Sequence, residues 1–119
     1  MSMRSAAKAA QKSKVSQHKL GAVVVKSGNI LSSGFNQLRY TKEMGRPTLH
    51  AEEAAILKLL KDGRLHDLAG SEIFVSRFTK GGRVGMARPC STCSSLIESV
   101  GISRVSYTTD FGTTMSYKV

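Results

Sequence analysis

Short runs of β-branched residues alternate along this chain with segments in which apolar residues recur every three or four positions. The first pattern is typical of strands and the second of amphipathic helices. Strands are predicted over residues 20–26, 30–35, 72–78 and 103–109, and helices over residues 3–17, 50–61 and 90–100. Ser27, Gly28 and Asn29 separate the first two strands and predict a tight turn, and therefore a hairpin.

Alternating strands and helices predict an α/β fold. We expect a three-layer α/β/α sandwich with helices on both faces of a mixed sheet of four to five strands, in a single domain over residues 1–119. Residues 36–48 are predicted to form a polar loop, and residues 79–88 a glycine-rich loop. The last ten residues fit either a short fifth strand or a segment that covers the site with Phe111.

The helix predicted over residues 50–61 carries a glutamate on its apolar side. At about 100° per residue, Glu52 falls in the middle of the apolar face, whereas Glu53 falls on the polar side. The apolar face consists of Ala51, Ala55, Ile56, Leu59 and Leu60. A buried carboxylate needs a partner or a raised pKa. Glu52 therefore indicates a function rather than a packing role.

Two cysteines occur in the stretch RPCSTC, residues 88–93, at the predicted start of the helix over residues 90–100. Cys90 and Cys93 lie on the same side of that helix, and the positive end of a helix dipole favours thiolates. Three interpretations are open at this point. The pair is half of a zinc site, a thioredoxin-like redox couple, or two core cysteines without a chemical role.

His50 favours the metal site, because it also stands at the start of a helix that follows a strand-bearing segment. Helices that follow parallel strands begin at the same edge of a sheet, so His50 can approach Cys90 and Cys93. His18 and His66 lie in polar segments and are expected to be surface residues. Three protein ligands leave one position for water, as in catalytic zinc sites, and Glu52 would then act as the base.

The segments HAE (50–52) and PCSTC (89–93) together resemble the H-x-E…P-C-x-x-C signature of the zinc-dependent cytidine and deoxycytidylate deaminase superfamily. The order of elements from about Lys19 to Tyr107 is similar as well. The resemblance implies a cytidine deaminase-like fold with a Zn²⁺ cofactor, bound by His50, Cys90 and Cys93. It also implies hydrolytic deamination of cytosine to uracil, in which zinc activates the attacking water and Glu52 shuttles protons.

The resemblance also suggests how a substrate is held. By analogy, Asn36 contacts the sugar and the backbone of Ala51 contacts the base. His50 as the first ligand resembles the deoxycytidylate and tRNA-editing branches, whereas the free-nucleoside branch more often has cysteine there, and the deoxycytidylate branch is preferred. The preferred substrate is therefore dCMP. Further residues near the predicted site could contact a substrate, the arginines through its phosphate. They are Arg46, Arg77, Arg88 and Phe111.

The charge distribution leaves other partners open. Residues 1–42 carry eight basic residues and no acidic one, within a formal net charge of +10, which favours an anionic partner. Besides a pyrimidine nucleotide, that partner could be single-stranded DNA or RNA, deaminated at cytosine or adenine. A non-enzymatic alternative is a nucleic-acid-binding module with structural zinc.

The sequence also suggests where the protein works and how it assembles. It has no apolar run long enough for a membrane span, and two cysteines do not form a disulfide framework. We expect a cytoplasmic protein without membrane partners, although the basic start, rich in alanine and serine, also resembles a transit peptide. An open sheet edge and the resemblance predict a homo-oligomer.

Overall fold

The computed structural model describes residues 2–15, 18–41 and 46–119, and the side chains of residues 3–15, 18–37 and 49–119. The helices are α1 (Ser2–Ala10), α2 (Ala51–Lys61), α3 (Leu65–Leu68) and α4 (Ser91–Ser99). The strands are β1 (His18–Lys26), β2 (Asn29–Phe35), β3 (Gln37–Thr41), β4 (Arg46–Leu49), β5 (Glu72–Thr79), β6 (Val84–Gly85), β7 (Arg104–Thr108) and β8 (Thr114–Lys118).

One mixed sheet organises these elements. Its strand order is β2-β1-β5-β7-β8, and the two-residue strand β6 pairs with the end of β5. The pairs β1–β2, β1–β5 and β7–β8 are antiparallel, whereas β5 and β7 are parallel. The predicted α/β class and mixed sheet are confirmed, and the residues after β7 add a fifth strand along the main path.

The two faces of the sheet are covered by different helices. On one face, β1 and β5 contribute alternate residues such as Ala22, Val24 and Val75 to a core that includes Ile56 of α2 and Ile97 of α4. On the other face, Val23 and Val25 pack with Ala6 of α1. This alternation follows from the two-residue period of a strand, and it explains the continuous apolar run of β1.

Glycines allow both covering helices to approach the sheet closely. A Cβ atom at Gly34 of β2 would lie 2.5 Å from Ala55 N and 2.6 Å from Ala51 O of α2. A Cβ atom at Gly21 of β1 would collide in the same way with the backbone of Ala6 and Ala10 in α1. The close contact at Gly34 matters for function, because α2 begins at the residue after His50.

Three sequence predictions about local structure are wrong. Within the predicted glycine-rich loop of residues 79–88, Val84 and Gly85 form β6, which pairs with β5. The first helix ends at Ala10 rather than continuing to residue 17. The hydroxyl of Ser13 donates to the carbonyl of Asn36 and accepts from the N–H of Val15, so these bonds replace further helical turns. Within the predicted polar loop of residues 36–48, the described residues 37–41 and 46–48 belong to β3 and β4, which pair as a two-stranded antiparallel sheet.

In the described part of the chain, no helix is both long enough and apolar enough to cross a membrane.

Candidate active site

The starts of α2 and α4 bring three metal-binding side chains together. His50 is the N-cap residue of α2, and Cys90 is the N-cap residue of α4. The His50 Nδ1 atom lies 3.2 Å from the Cys93 Sγ atom and 3.7 Å from the Cys90 Sγ atom. The ligand atoms of all three residues lie within 4.8 Å of one another. The convergence expected from the sequence is therefore present.

The spacing of these atoms fits zinc. Zn–N and Zn–S bonds of about 2.1 and 2.3 Å in a tetrahedron place ligand atoms about 3.6–3.8 Å apart. The measured distances of 3.2 and 3.7 Å need only small adjustments to reach those values. Two thiols and one imidazole are also a donor set that zinc prefers, and they leave one coordination position for another ligand. His50, Cys90 and Cys93 could therefore hold Zn²⁺.

Glu52 lies beside this group and is almost completely buried, with 3% of its surface exposed. Burial is the main cause that raises its pKa to about 7, and the neighbouring Glu53 carboxylate adds to the increase. A hydrogen bond from the backbone N–H of Glu52 lowers the pKa in the opposite direction, and the Cys93 thiol does so to a smaller extent. A carboxyl group with a pKa near 7 can both accept and donate a proton under ordinary conditions.

Cys93 is fully buried, and the environment disfavours its charged form. Burial is again the main cause, followed by the negative charge of Glu52, and both raise the pKa of the Cys93 thiol. A divalent cation among these groups would favour the thiolate instead, because its charge compensates for the lost hydration. Cys90 is exposed at the surface, so one thiol of the pair is accessible from solvent and the other is not.

Glu53 differs from its predicted position on the polar side of α2. It is buried, with 5% of its surface exposed. Its Oε1 atom accepts a hydrogen bond from the backbone N–H of His50 at 3.1 Å, which turns the carboxylate back toward the start of the helix. A glutamate three residues after an N-cap is the sequence pattern of a capping box, so this contact could have been predicted.

His18 is the second residue whose position was not anticipated. It is only half-buried rather than a freely exposed surface residue, and it belongs to β1. Its side chain is on the face of Leu20, Ala22 and Val24, since alternate residues of a strand share a face. Burial, followed by the charges of Arg77 and His50, lowers the pKa of His18. This alternation of residues along the strand was the sequence signal that could have predicted the position of His18. His66, in contrast, is exposed as predicted.

Asn36 and Ala51, the residues predicted to contact the sugar and the base, belong to different parts of the fold. The Asn36 side chain accepts from the N–H of Leu20 at 2.9 Å and donates to the carbonyl of His18 at 3.1 Å, so it connects the start of β1 to the end of β2. Ala51 is buried and is the first residue of α2. Its N–H has no acceptor within the helix, as at every helix start. Substrate contacts of Asn36 and Ala51 stay predictions.

The four other predicted substrate residues have different environments. Arg77 is part of β5, on the face of the sheet that carries the site. The Arg88 guanidinium lies over the rings of Tyr107 and Tyr117, at 5.9 and 5.1 Å from their centroids. Phe111 is 92% exposed in the turn between β7 and β8, so its ring does not cover the site. The side chain of Arg46 lies outside the described residues.

Comparison with known proteins gives a consistent picture. A family model described as the cytidine and deoxycytidylate deaminase zinc-binding region matches residues 1–109. An uncharacterized deaminase in the luxG 3' region of Aliivibrio fischeri is 34% identical over 101 residues, which cover 72% of this chain. The matched part spans 55% of the length of that relative.

Solved structures extend the comparison to the fold. The apo dCMP deaminase of cyanophage S-TIM5 is 30% identical, with a TM-score of 0.66, over 91% of this chain and 79% of that one. Its complex with dCMP and dUMP is 28% identical, with a TM-score of 0.65, over 90% of this chain and 77% of that one. The cytidine deaminase of Burkholderia pseudomallei shares the fold, with a TM-score of 0.73 and 23% identity, over 98% and 89% of the two chains.

Proposed function

Since this chain belongs to the cytidine and deoxycytidylate deaminase family, whose model matches residues 1–109, we propose that it hydrolyses the amino group of a cytosine nucleotide. The preferred reaction is the conversion of dCMP and water to dUMP and ammonia. The observation that carries this proposal is the burial of Glu52, two residues after His50, at the helix start where the ligand atoms of His50, Cys90 and Cys93 lie within 4.8 Å of one another. This arrangement supports Glu52 as the proton carrier.

The proposed chemistry needs a nucleophile and a proton carrier at the same point. When bound by His50, Cys90 and Cys93, zinc supplies Lewis acidity that makes water a nucleophile near neutral pH. Glu52 removes a proton from the attacking water and delivers it to N3 of the cytosine ring. Once the water oxygen is bonded to C4, Glu52 transfers the remaining proton of that oxygen to the amino group. The C4–N bond then breaks, so that ammonia leaves and C4 becomes a carbonyl carbon.

The surroundings of Glu52 suit this role. Its carboxylate is excluded from bulk water by the packing of α2, so protons exchange with the reacting groups rather than with solvent. The N–H group of Ala51, the first residue of α2, has no acceptor within the helix and could donate to the edge of the base. Asn36 directly follows β2. This position supports the proposed contact between Asn36 and the sugar.

A free nucleotide is favoured over a polynucleotide as the substrate. Two S-TIM5 structures in the comparison belong to a dCMP deaminase, one of them in complex with dCMP and dUMP. The exposed basic residues Arg4, Lys8 and Lys12 belong to α1 or follow it directly, and α1 covers the face of the sheet opposite to the site. These three basic residues therefore lie on the side of the sheet opposite to Glu52.

Comparison of substrates tests the proposal directly. Zinc-loaded protein should convert dCMP faster than CMP, deoxycytidine or a cytosine-containing single-stranded oligonucleotide, as measured by mass spectrometry of the uracil product. Glu52→Ala serves as the control that removes the proton carrier. Turnover of the oligonucleotide alone would mean that the substrate is a nucleic-acid strand and not a free nucleotide. A zinc-loaded protein that deaminates none of them would overturn the proposed reaction.

We further propose that the protein forms homo-oligomers. β8 is an edge strand of the sheet, and Met115 within it is 53% exposed. An open edge with exposed apolar side chains favours association with a second copy. Light scattering during gel filtration would measure the mass, and a monomer at micromolar concentration would contradict this part of the proposal.

A further inference from the structure

Part of the Arg77 guanidinium has no protein partner in the described part of the chain. Its Nη1 atom donates to the Met86 carbonyl at 3.3 Å. Its Nε atom is buried without any hydrogen-bond acceptor. Because a buried N–H group without an acceptor is costly, such groups are rare in native structures and require an explanation. A bound ligand that supplies the acceptor is one explanation.

Arg77 faces the side of the sheet that carries the candidate active site. It pairs in register with Leu20 of β1, and residues paired across antiparallel strands point to the same face. Leu20 packs against the core that contains Ala51 and Ile56 of α2. The Arg77 side chain therefore extends from the sheet on the side of α2, beyond the last apolar layer.

The position of Arg77 is fixed by bonds on both its backbone and its side chain. Its N–H donates to the Thr108 hydroxyl at 3.2 Å, and that hydroxyl donates to the Gly85 carbonyl at 2.8 Å. With Nη1 held by Met86, Nε is the guanidinium nitrogen that the described residues leave without an acceptor, and Nη2 lies on the same edge of the planar group. Two parallel N–H donors on one arginine edge match the spacing of two phosphate oxygens.

His18 lies on the same face, two residues before Leu20. Burial is the main cause that lowers the pKa of its ring, and Arg77 and His50 are both close enough to add to the effect. His18 therefore lies near Arg77 and near His50. An imidazole in this position offers one further hydrogen bond to an anion that Arg77 holds.

We propose that Arg77 and His18 bind the 5′-phosphate of the substrate, and that Arg77 makes the enzyme selective for a nucleotide over a nucleoside. This inference rests on the proposed deamination of a cytosine nucleotide. Two other arginines are less suitable for the role. Arg88 is stacked over Tyr107 and Tyr117, and Arg83 is exposed in the turn before β6.

The test compares dCMP with deoxycytidine in zinc-loaded variants. Arg77→Ala should lower kcat/KM for dCMP roughly 10- to 100-fold, the range expected for lost hydrogen bonds to a charged group, and change it little for deoxycytidine. Arg77→Lys keeps the charge but not the paired donors, so its dCMP activity should be intermediate. Arg83→Ala is the matched control on the same hairpin and should retain wild-type selectivity. His18→Ala should act in the same direction as Arg77→Ala but more weakly.

Binding of the product gives a readout that does not need turnover. Calorimetry should show tighter binding of dUMP than of deoxyuridine to the wild-type protein, and Arg77→Ala should remove that difference. If a variant with wild-type melting behaviour lost affinity for dUMP and for deoxyuridine by the same factor, the proposed phosphate contact would be overturned. Absence of deamination with a preserved preference for dUMP would overturn the proposed function but not this inference.

Discussion

The carboxylate of Glu53 accepts a hydrogen bond from the backbone N–H of His50, with 3.1 Å between the nitrogen and Oε1. This contact fixes the residue that begins α2, and it therefore restrains the direction in which the His50 ring leaves the backbone. Partners that orient a metal ligand in this way typically change metal affinity when they are removed. Glu53 is accordingly a positioning residue for His50.

Removal of the Glu53 carboxylate should weaken zinc binding. We expect Glu53→Ala to lower zinc affinity by about 10-fold or more, and Glu53→Gln to retain most of it because an amide oxygen still accepts from His50. Competition with a chromophoric chelator measures the affinity. Glu98→Ala, at an exposed position of α4, is the control. Equal affinities in the Glu53→Ala variant and the wild type would show that the contact has no influence on the metal site.

Glu52→Gln should separate catalysis from metal binding. The amide has nearly the same size but cannot shuttle protons, so kcat should fall by a factor of about 10² to 10⁴. Zinc content, measured by atomic emission, should stay near one ion per chain. A variant that loses zinc together with activity would mean that Glu52 supports the site instead of moving protons.

Removal of zinc should abolish activity and lower the melting temperature. A ligand present at about 1,000 times its Kd stabilises the folded state by roughly 4 kcal/mol, so chelation should produce a clear shift in thermal unfolding. Added zinc should restore both properties. Added magnesium should not, because thiolates and imidazole are poor ligands for that ion. Cys93→Ser should behave like the chelated protein; unchanged melting on chelation would argue against a metal at this site.

Gly34→Ala should destabilise the fold and disturb the site together. The added methyl group would collide with the backbone of α2 at Ala51 and Ala55. Overpacking of this kind costs about 1–3 kcal/mol, and the helix that begins after His50 would have to move. Chemical denaturation measures the free energy of unfolding. Gly81→Ala has open space around the new methyl group and should be close to neutral.

The metal-binding group could be predicted from the sequence because few residues define it. HAE and PCSTC place a histidine and two cysteines at the starts of two helices, and an α/β topology brings such helix starts to one sheet edge. Glu52 was predictable for a related reason, since a carboxylate in the centre of an apolar helix face conflicts with packing.

Other features depend on tertiary contacts that local patterns do not contain. The segment of residues 36–48 is polar and reads as a loop, but β3 and β4 pair with each other within it. α1 ends early because Ser13 bonds to Asn36, a residue 23 positions away. Arg77 became a specific candidate only when its buried Nε atom and its register with Leu20 were known. None of these contacts has a local sequence signal as strong as the HAE and PCSTC segments.

The separation of the metal ligands along the chain has a consequence for folding. His50 and Cys93 are 43 positions apart, and between them lies β5, which joins the β1–β2 hairpin to the parallel strand β7. No local fragment of the chain contains the complete ligand set. High-affinity zinc uptake is therefore a late event during refolding, and the rate at which metal binding appears measures the slow, long-range step of chain assembly.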